Sequence, residues 1–152
     1  TTPNGCHIAE VALDPETGQI TLERYTVVDD FGRVINPMLV EGQVHGGVTQ
    51  GIGQVLLEAM IWNEDGQPIS GSLMDYALPR AADLPFFHVT FAAHPTPSNP
   101  MGLKGCGEAG SVAAVPAVAN AVMDVLSRFG VRELAPPYAP GRVWEALRKA
   151  KG

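Results

Sequence analysis

The chain has 152 residues, enough for one domain that buries roughly two-thirds of its unfolded surface. Apolar residues make up 45% and charged residues 17%, a globular balance that argues against disorder. The net charge of −6 disfavours a nucleic-acid-binding face, and no apolar run is read as reaching the ~18 residues of a membrane span.

The two cysteines, Cys6 and Cys106, do not make a disulfide framework, and a reduced, cytoplasmic compartment is expected. The opening Thr-Thr-Pro-Asn-Gly lacks the basic segment and apolar core of a signal peptide. With 17 glycines and 13 prolines, many turns are expected rather than a plain helical bundle.

In chain order, residues 6–13 read as a strand in which Cys6 is buried. Asp14-Pro-Glu-Thr-Gly18 is a turn, and residues 19–30 form a second strand, antiparallel to the first. Asp29 and Asp30 end it, read as solvated charges rather than a metal site. Asn36-Pro37 is a helix start, with Asn as N-cap and Pro at the first helical position.

The helix runs to about Glu58 through Gly42, Gly46, Gly47, Gly51 and Gly53. Each glycine costs ~1 kcal/mol relative to alanine, so close packing on a backbone or a ligand is expected. Gln43, Gln50 and Gln54 share one helical face, whose amides are either exposed or set to meet a flat, mixed donor–acceptor heterocycle. His45 reads as a packed or surface residue.

Met60 to Asn63 reads as a short strand, residues 64–66 as its turn, 70–85 as loop and 86–93 as a strand. Pro116 breaks the apolar stretch 111–126, predicting a short turn and then a main helix from Pro116 to Ser127, closed by Gly130. Residues 136–140 form a docking arm. A last helix over 141–149 turns Val143, Trp144 and Leu147 inward. The fold class predicted is α+β: a mixed or antiparallel sheet carrying two main helices, in a single domain over 1–152.

The central stretch is Gly102-Leu-Lys-Gly-Cys-Gly-Glu-Ala-Gly110. Its glycines let another group approach the backbone, and Glu108 stands at the mouth of the following helix, where N–H groups lack partners. Such a place suits an anion, a cofactor or a catalytic acid/base, or simply a solvated capping carboxylate. The loop lacks the Gly-Lys-Ser/Thr ending of a phosphate-binding P-loop.

Three ordered motifs carry a resemblance to a known family: Tyr25-Thr-Val-Val-Asp-Asp-Phe-Gly to Ile35-Asn-Pro; Gly42-Gln-Val-His-Gly-Gly-Val-Thr-Gln-Gly-Ile-Gly53; and Lys104-Gly-Cys-Gly-Glu-Ala-Gly110. Over essentially its whole length the chain resembles the carboxyl-terminal part of the molybdenum-binding large subunit of the xanthine dehydrogenase/aldehyde oxidase family. Within that family it resembles the carbon monoxide dehydrogenase-like branch.

The resemblance implies Glu108 as catalytic base, Gln43 as a pterin contact and Gly107 as lying against the cofactor, with no metal ligand from this chain. It implies molybdopterin cytosine dinucleotide with Mo as cofactor, a small-molecule substrate, and oxidation with oxygen drawn from water. The implied partners are the remaining molybdenum-binding region or subunit, an iron–sulfur subunit and an FAD subunit. That subunit is several times longer than 152 residues, so the chain is expected to be a fragment, a split subunit or an isolated domain, inactive alone. The rival expectation is a non-catalytic binding or assembly module that keeps the fold without molybdenum.

Overall fold

The computed structural model describes residues 1–152. Strands β1 (Asn4–Leu13) and β2 (Ile20–Asp30) form the expected antiparallel hairpin, with a register shift at Glu10/Val11. Its turn is closed by Gly18 N–H donating to the Asp14 carbonyl at 2.8 Å, while the Asp14 carboxylate accepts from Thr17 Oγ1 at 2.7 Å. Gly18 has φ +76°, and a Cβ there would strike the backbone of the last helix, so the turn is also a seat for that helix.

Strand β3 (Phe87–Phe91) lies parallel to β2, pairing Tyr25 with Phe87 through Asp29 with Phe91. The three-stranded sheet, in order β1-β2-β3, is therefore mixed. Parallel neighbours need a long crossover, and residues 31–86 supply it with helix α1 (Pro37–Leu56) inside. The Asn36 side chain caps α1 by accepting from Leu39 N–H. Helix α2 (Ala109–Ser127) and helix α3 (Pro140–Lys151) complete the α+β fold.

The core is one cluster. Tyr25 and Val27 of β2 meet Val44, Val48, Ile52 and Val55 of α1, Ala114, Val118, Val122 and Leu126 of α2, and Val143 and Leu147 of α3. The α2 residues recur every fourth position, which makes a continuous stripe along one helix face. Glycine sets the helix–helix distance. A Cβ on Gly110 would stand 2.6 Å from the Val44 carbonyl oxygen, and one on Gly51 2.6 Å from Ala114 Cβ. Gly47 abuts Gly110 and Ser111 while Gly51 abuts Ala114 and Val115, so α1 and α2 run in the same direction.

Several expectations are corrected. Helix α2 does not break at Pro116 but runs through it from Ala109. Proline deprives the carbonyl four residues earlier of its donor, and that residue, Val112, is 67% exposed, so the loss falls on the solvent side. By length and composition α2 is apolar enough to cross a membrane, contrary to the sequence reading; here it packs on α1 and β1.

Met60–Asn63 is not a strand. It makes only a single antiparallel bridge, Trp62 to Pro68, with Met60, Ile61 and Trp62 all more than half exposed. Residues 81–83 add one 3-10 turn to the following loop, and β3 is shorter than the 86–93 expected. Cys6 is exposed, because the alternation of β1 turns His7, Ala9, Val11 and Leu13 inward instead. Trp144 is not inward either: it is 38% exposed, one position round the helix from the Val143–Leu147 stripe, with the Arg148 guanidinium 4.8 Å from its ring.

Candidate active site

The glycine loop is held firmly at one end and left open at the other. Gly102, at φ +70°, accepts at its carbonyl from Arg33 N–H at 3.0 Å, and Lys104 N–H donates to the Phe31 carbonyl at 2.9 Å. Leu103 bridges to Gly32, and the Asn99 amide both donates to the Leu103 carbonyl and accepts from its N–H. Residues 102–104 are thereby stitched along the segment that leaves β2.

Lys104 reaches further. Its Nζ donates to Asp30 Oδ2 at 2.5 Å and to Asn4 Oδ1 at 3.3 Å. Asp30 is 5% exposed and also accepts from Gly32 N–H and His94 N–H. The hydrogen bond from Lys104, joined by those backbone donors, holds its carboxyl at about 2, below the ordinary 3.8.

Beyond Gly105 the ties stop. A Cβ on Gly105 or Gly107 would meet nothing within 4 Å. Glu108 is the N-cap of α2 with φ −111° and ψ −12°, and its exposed side chain makes no capping bond. Its carbonyl accepts from Val112 N–H at 3.0 Å, so the backbone is locked to the helix while the carboxylate stays free.

Gly107 and Glu108 line a cleft of about 590 Å³ together with the N-terminal residues Thr1–Gly5. His7 and Asp29 also line it. His7 Nε2 lies 3.1 Å from Asp29 Oδ1, and His7 Nδ1 lies 2.8 Å from Tyr25 Oη. Tyr25 is fully buried, and His7 Nδ1 is the partner of its hydroxyl. On the other side of the ring, Nε2–H donates to Asp29. Burial, and then the Asp29 charge, push the Tyr25 hydroxyl above its ordinary pKa.

Asp29 and Asp30 are thus buried and partnered, not solvated strand ends as the sequence suggested. Their partners lie 22 residues earlier for His7 and 74 later for Lys104, beyond local pattern. The phase of β1 was the available signal for His7, which shares the inward face with Ala9, Val11 and Leu13. No three His, Cys, Asp or Glu side chains are grouped to hold a metal ion.

Gln43 does not line the cleft. It lies on an exposed face of α1 with Gln50 and Gln54, beside Gly42 and Gly46, where an added Cβ would meet nothing within 4 Å. Because α1 and α2 run in the same direction, Gln43 and Glu108 are both one short step before the Gly47–Gly110 contact, at the same end of the helix pair. Of the helix glycines, Gly47 and Gly51 are explained by backbone contact, and Gly42 and Gly46 present bare backbone outward.

The family model described as the molybdopterin cofactor-binding domain matches residues 1–85. The chain belongs to the molybdopterin cofactor-binding domain family. It is 36% identical to the carbon monoxide dehydrogenase large chain of Hydrogenophaga pseudoflava over 98% of this chain and 19% of that one. It is 40% identical to the 6-hydroxypseudooxynicotine dehydrogenase complex subunit gamma of Paenarthrobacter nicotinovorans, again over 98% and 19%.

Its fold superposes on the solved structure of reconstituted carbon monoxide dehydrogenase from Oligotropha carboxidovorans with a TM-score of 0.94. That pair is 32% identical, and the match covers 98% of this chain and 18% of that one. The chain therefore spans about a fifth of the length of the relatives it matches. The α+β class, with a mixed sheet and helices, matches the fold of that solved structure over this region.

Proposed function

We propose that this chain is a single domain forming one wall of a molybdenum hydroxylase active site, with Glu108 as the proton acceptor and Gln43 and Gly107 as contacts of the pterin. The observation that carries the reading is the unengaged Glu108 carboxylate on a rigid helix mouth, beside bare glycine backbone, facing a cleft of about 590 Å³. The open backbone at Gly105 and Gly107, and at Gly42 and Gly46 beside Gln43, fits a flat cofactor that needs close approach. The proposed cofactor is molybdopterin cytosine dinucleotide with Mo, held jointly with the rest of a larger assembly. When bound, it supplies the two-electron redox centre at which a small substrate is oxidised with oxygen drawn from water.

The chain's own residues do three things. The Gln43 amide both donates and accepts, matching a heterocycle edge with mixed groups. The glycine backbone lets the group come within contact distance. Glu108 then takes up a proton at a carboxylate oxygen, held in place by α2. Because the two relatives named act on different compounds, the substrate is proposed only as a small molecule.

The remaining molybdenum-binding region is proposed as the partner covering the exposed apolar residues Met38, Leu39, Leu73, Met74 and Phe86, which are 64–96% exposed. An iron–sulfur subunit and an FAD subunit complete the proposed assembly and carry electrons away from the redox centre.

The test is Glu108→Gln in the assembled, molybdenum-loaded enzyme. The amide keeps the shape but cannot accept the proton, so kcat should fall at least ~10²-fold with molybdenum content unchanged. Glu23→Gln, on the exposed face of β2, serves as control. The chain purified alone should carry no molybdenum. Parent-rate turnover by the Glu108 variant would refute the assignment and favour a binding or assembly module.

A further inference from the structure

We infer that Lys104 is the positioning residue for Glu108: its ammonium, bonded to Asp30 and Asn4, pins the loop that carries the carboxylate to the end of β2 and to the cleft wall. This rests on Glu108 being the proton acceptor. Four observations converge on it.

The Lys104–Asp30 contact is short, 2.5 Å, between side chains only 15% and 7% exposed. A charge-assisted bond in such a place is stronger than its surface counterpart. Asp30 is itself immobile, since Gly32 N–H at 2.8 Å and His94 N–H at 3.0 Å bind the same carboxylate.

The second bond of Lys104 goes to Asn4, which lines the same cleft as Glu108. One ammonium thus ties the loop to the start of β1 and to the end of β2. Lys104 is also the last strong anchor before Glu108. The only later tie is the long Gly105 N–H bond to the Thr1 carbonyl at 3.4 Å.

The three residues between, Gly105, Cys106 and Gly107, include two glycines with empty space around them. Once the Lys104 side chain lets go, the segment keeps only the packing of Cys106 on the core and the backbone bonds at its two ends. A misplacement of about 1 Å at a reacting group can cost ~10²-fold in rate. A loop made bare for access therefore needs an anchor just outside the bare segment, and Lys104 stands there.

The test begins with the chain itself, without cofactor, by 15N relaxation. In Lys104→Met, order parameters at Gly105, Cys106, Gly107 and Glu108 should fall from near ~0.85 toward ~0.6, while those of Ala114–Leu126 stay unchanged. Lys104→Arg, which keeps the charge, should restore most of the rigidity. In the assembled enzyme Lys104→Met should lower kcat ~10–100-fold with KM little altered. The double variant with Glu108→Gln should be no slower than Glu108→Gln alone, because a misplaced base has nothing further to lose.

Unchanged order parameters at 105–108 in Lys104→Met would overturn the inference whatever Glu108 does. So would multiplicative losses in the double variant. If Glu108→Gln is silent yet Lys104→Met still loosens the loop, the reading of Glu108 fails, and with it the positioning role, leaving Lys104 only a loop anchor.

Discussion

Two alanine substitutions on glycines of the helix pair should move stability in opposite directions. At Gly110 a Cβ would stand 2.6 Å from the Val44 carbonyl oxygen, 2.9 Å from Val48 N and 3.0 Å from Gly47 Cα. All three are backbone atoms of α1 and cannot swing aside. Carbon–oxygen contacts settle near ~3.3 Å or more, so α1 and α2 must part by roughly 0.7 Å. A gap of that size forfeits about a quarter to a half of each affected dispersion contact.

Overpacking of this kind costs about 1–3 kcal/mol. Gly110 is the second residue of α2, so gained helix propensity offsets little of it. For a domain of this size the melting temperature should fall by roughly 2–12 °C.

Gly46, in the middle of α1, has nothing within 4 Å of its Cβ position. Alanine there removes backbone freedom from the unfolded chain and should add up to ~1 kcal/mol, raising the melting temperature by roughly 2–4 °C. Thermal melts of the chain followed by circular dichroism, checked by urea titration, read both. A Gly110→Ala variant as stable as the parent, or a destabilised Gly46→Ala, would refute the packing argument. In the assembled enzyme Gly46→Ala should behave differently: cofactor occupancy should fall, because the bare face is proposed to receive the pterin or the neighbouring region.

Gln43→Leu should leave the chain folded, since the side chain is exposed here, yet lower cofactor occupancy by unpairing buried groups at about 1–3 kcal/mol; molybdenum content per assembled enzyme measures it, and unchanged content counts against the contact. The acid limb of stability should report Asp30. Its native pKa of about 2 lies below the ordinary 3.8, so its contribution is complete above about pH 4 and is lost as pH falls toward 2. Acid titration of the unfolding free energy should show a shallower decline across that window in Asp30→Asn, and an identical slope would contradict the Lys104 assignment.

The local elements were legible in the sequence wherever one short-range rule decided them. Asp14–Gly18 closes the hairpin because Asp and Gly satisfy the turn within five residues. Asn36-Pro37 starts α1 because cap and first position are both set by side-chain chemistry. The glycine loop placed Glu108 at a helix mouth because its glycines and the apolar run stand side by side in the chain. The fold class followed, although only the structure revealed that β3 is parallel to β2, since register between distant strands leaves no local trace.

What tertiary structure decided has a common cause: partners far apart in sequence. Pro116 reads as a break until the exposure of Val112 explains how α2 passes through it. Asp29 and Asp30 read as solvated charges until His7 and Lys104 arrive from distant parts of the chain. The glycines of α1 look equivalent in the sequence, yet Gly47 and Gly51 meet α2 while Gly42 and Gly46 meet nothing. Local chemistry determines where a helix or turn begins; only the packed chain determines which of its faces, and which of its charges, are left open for another molecule.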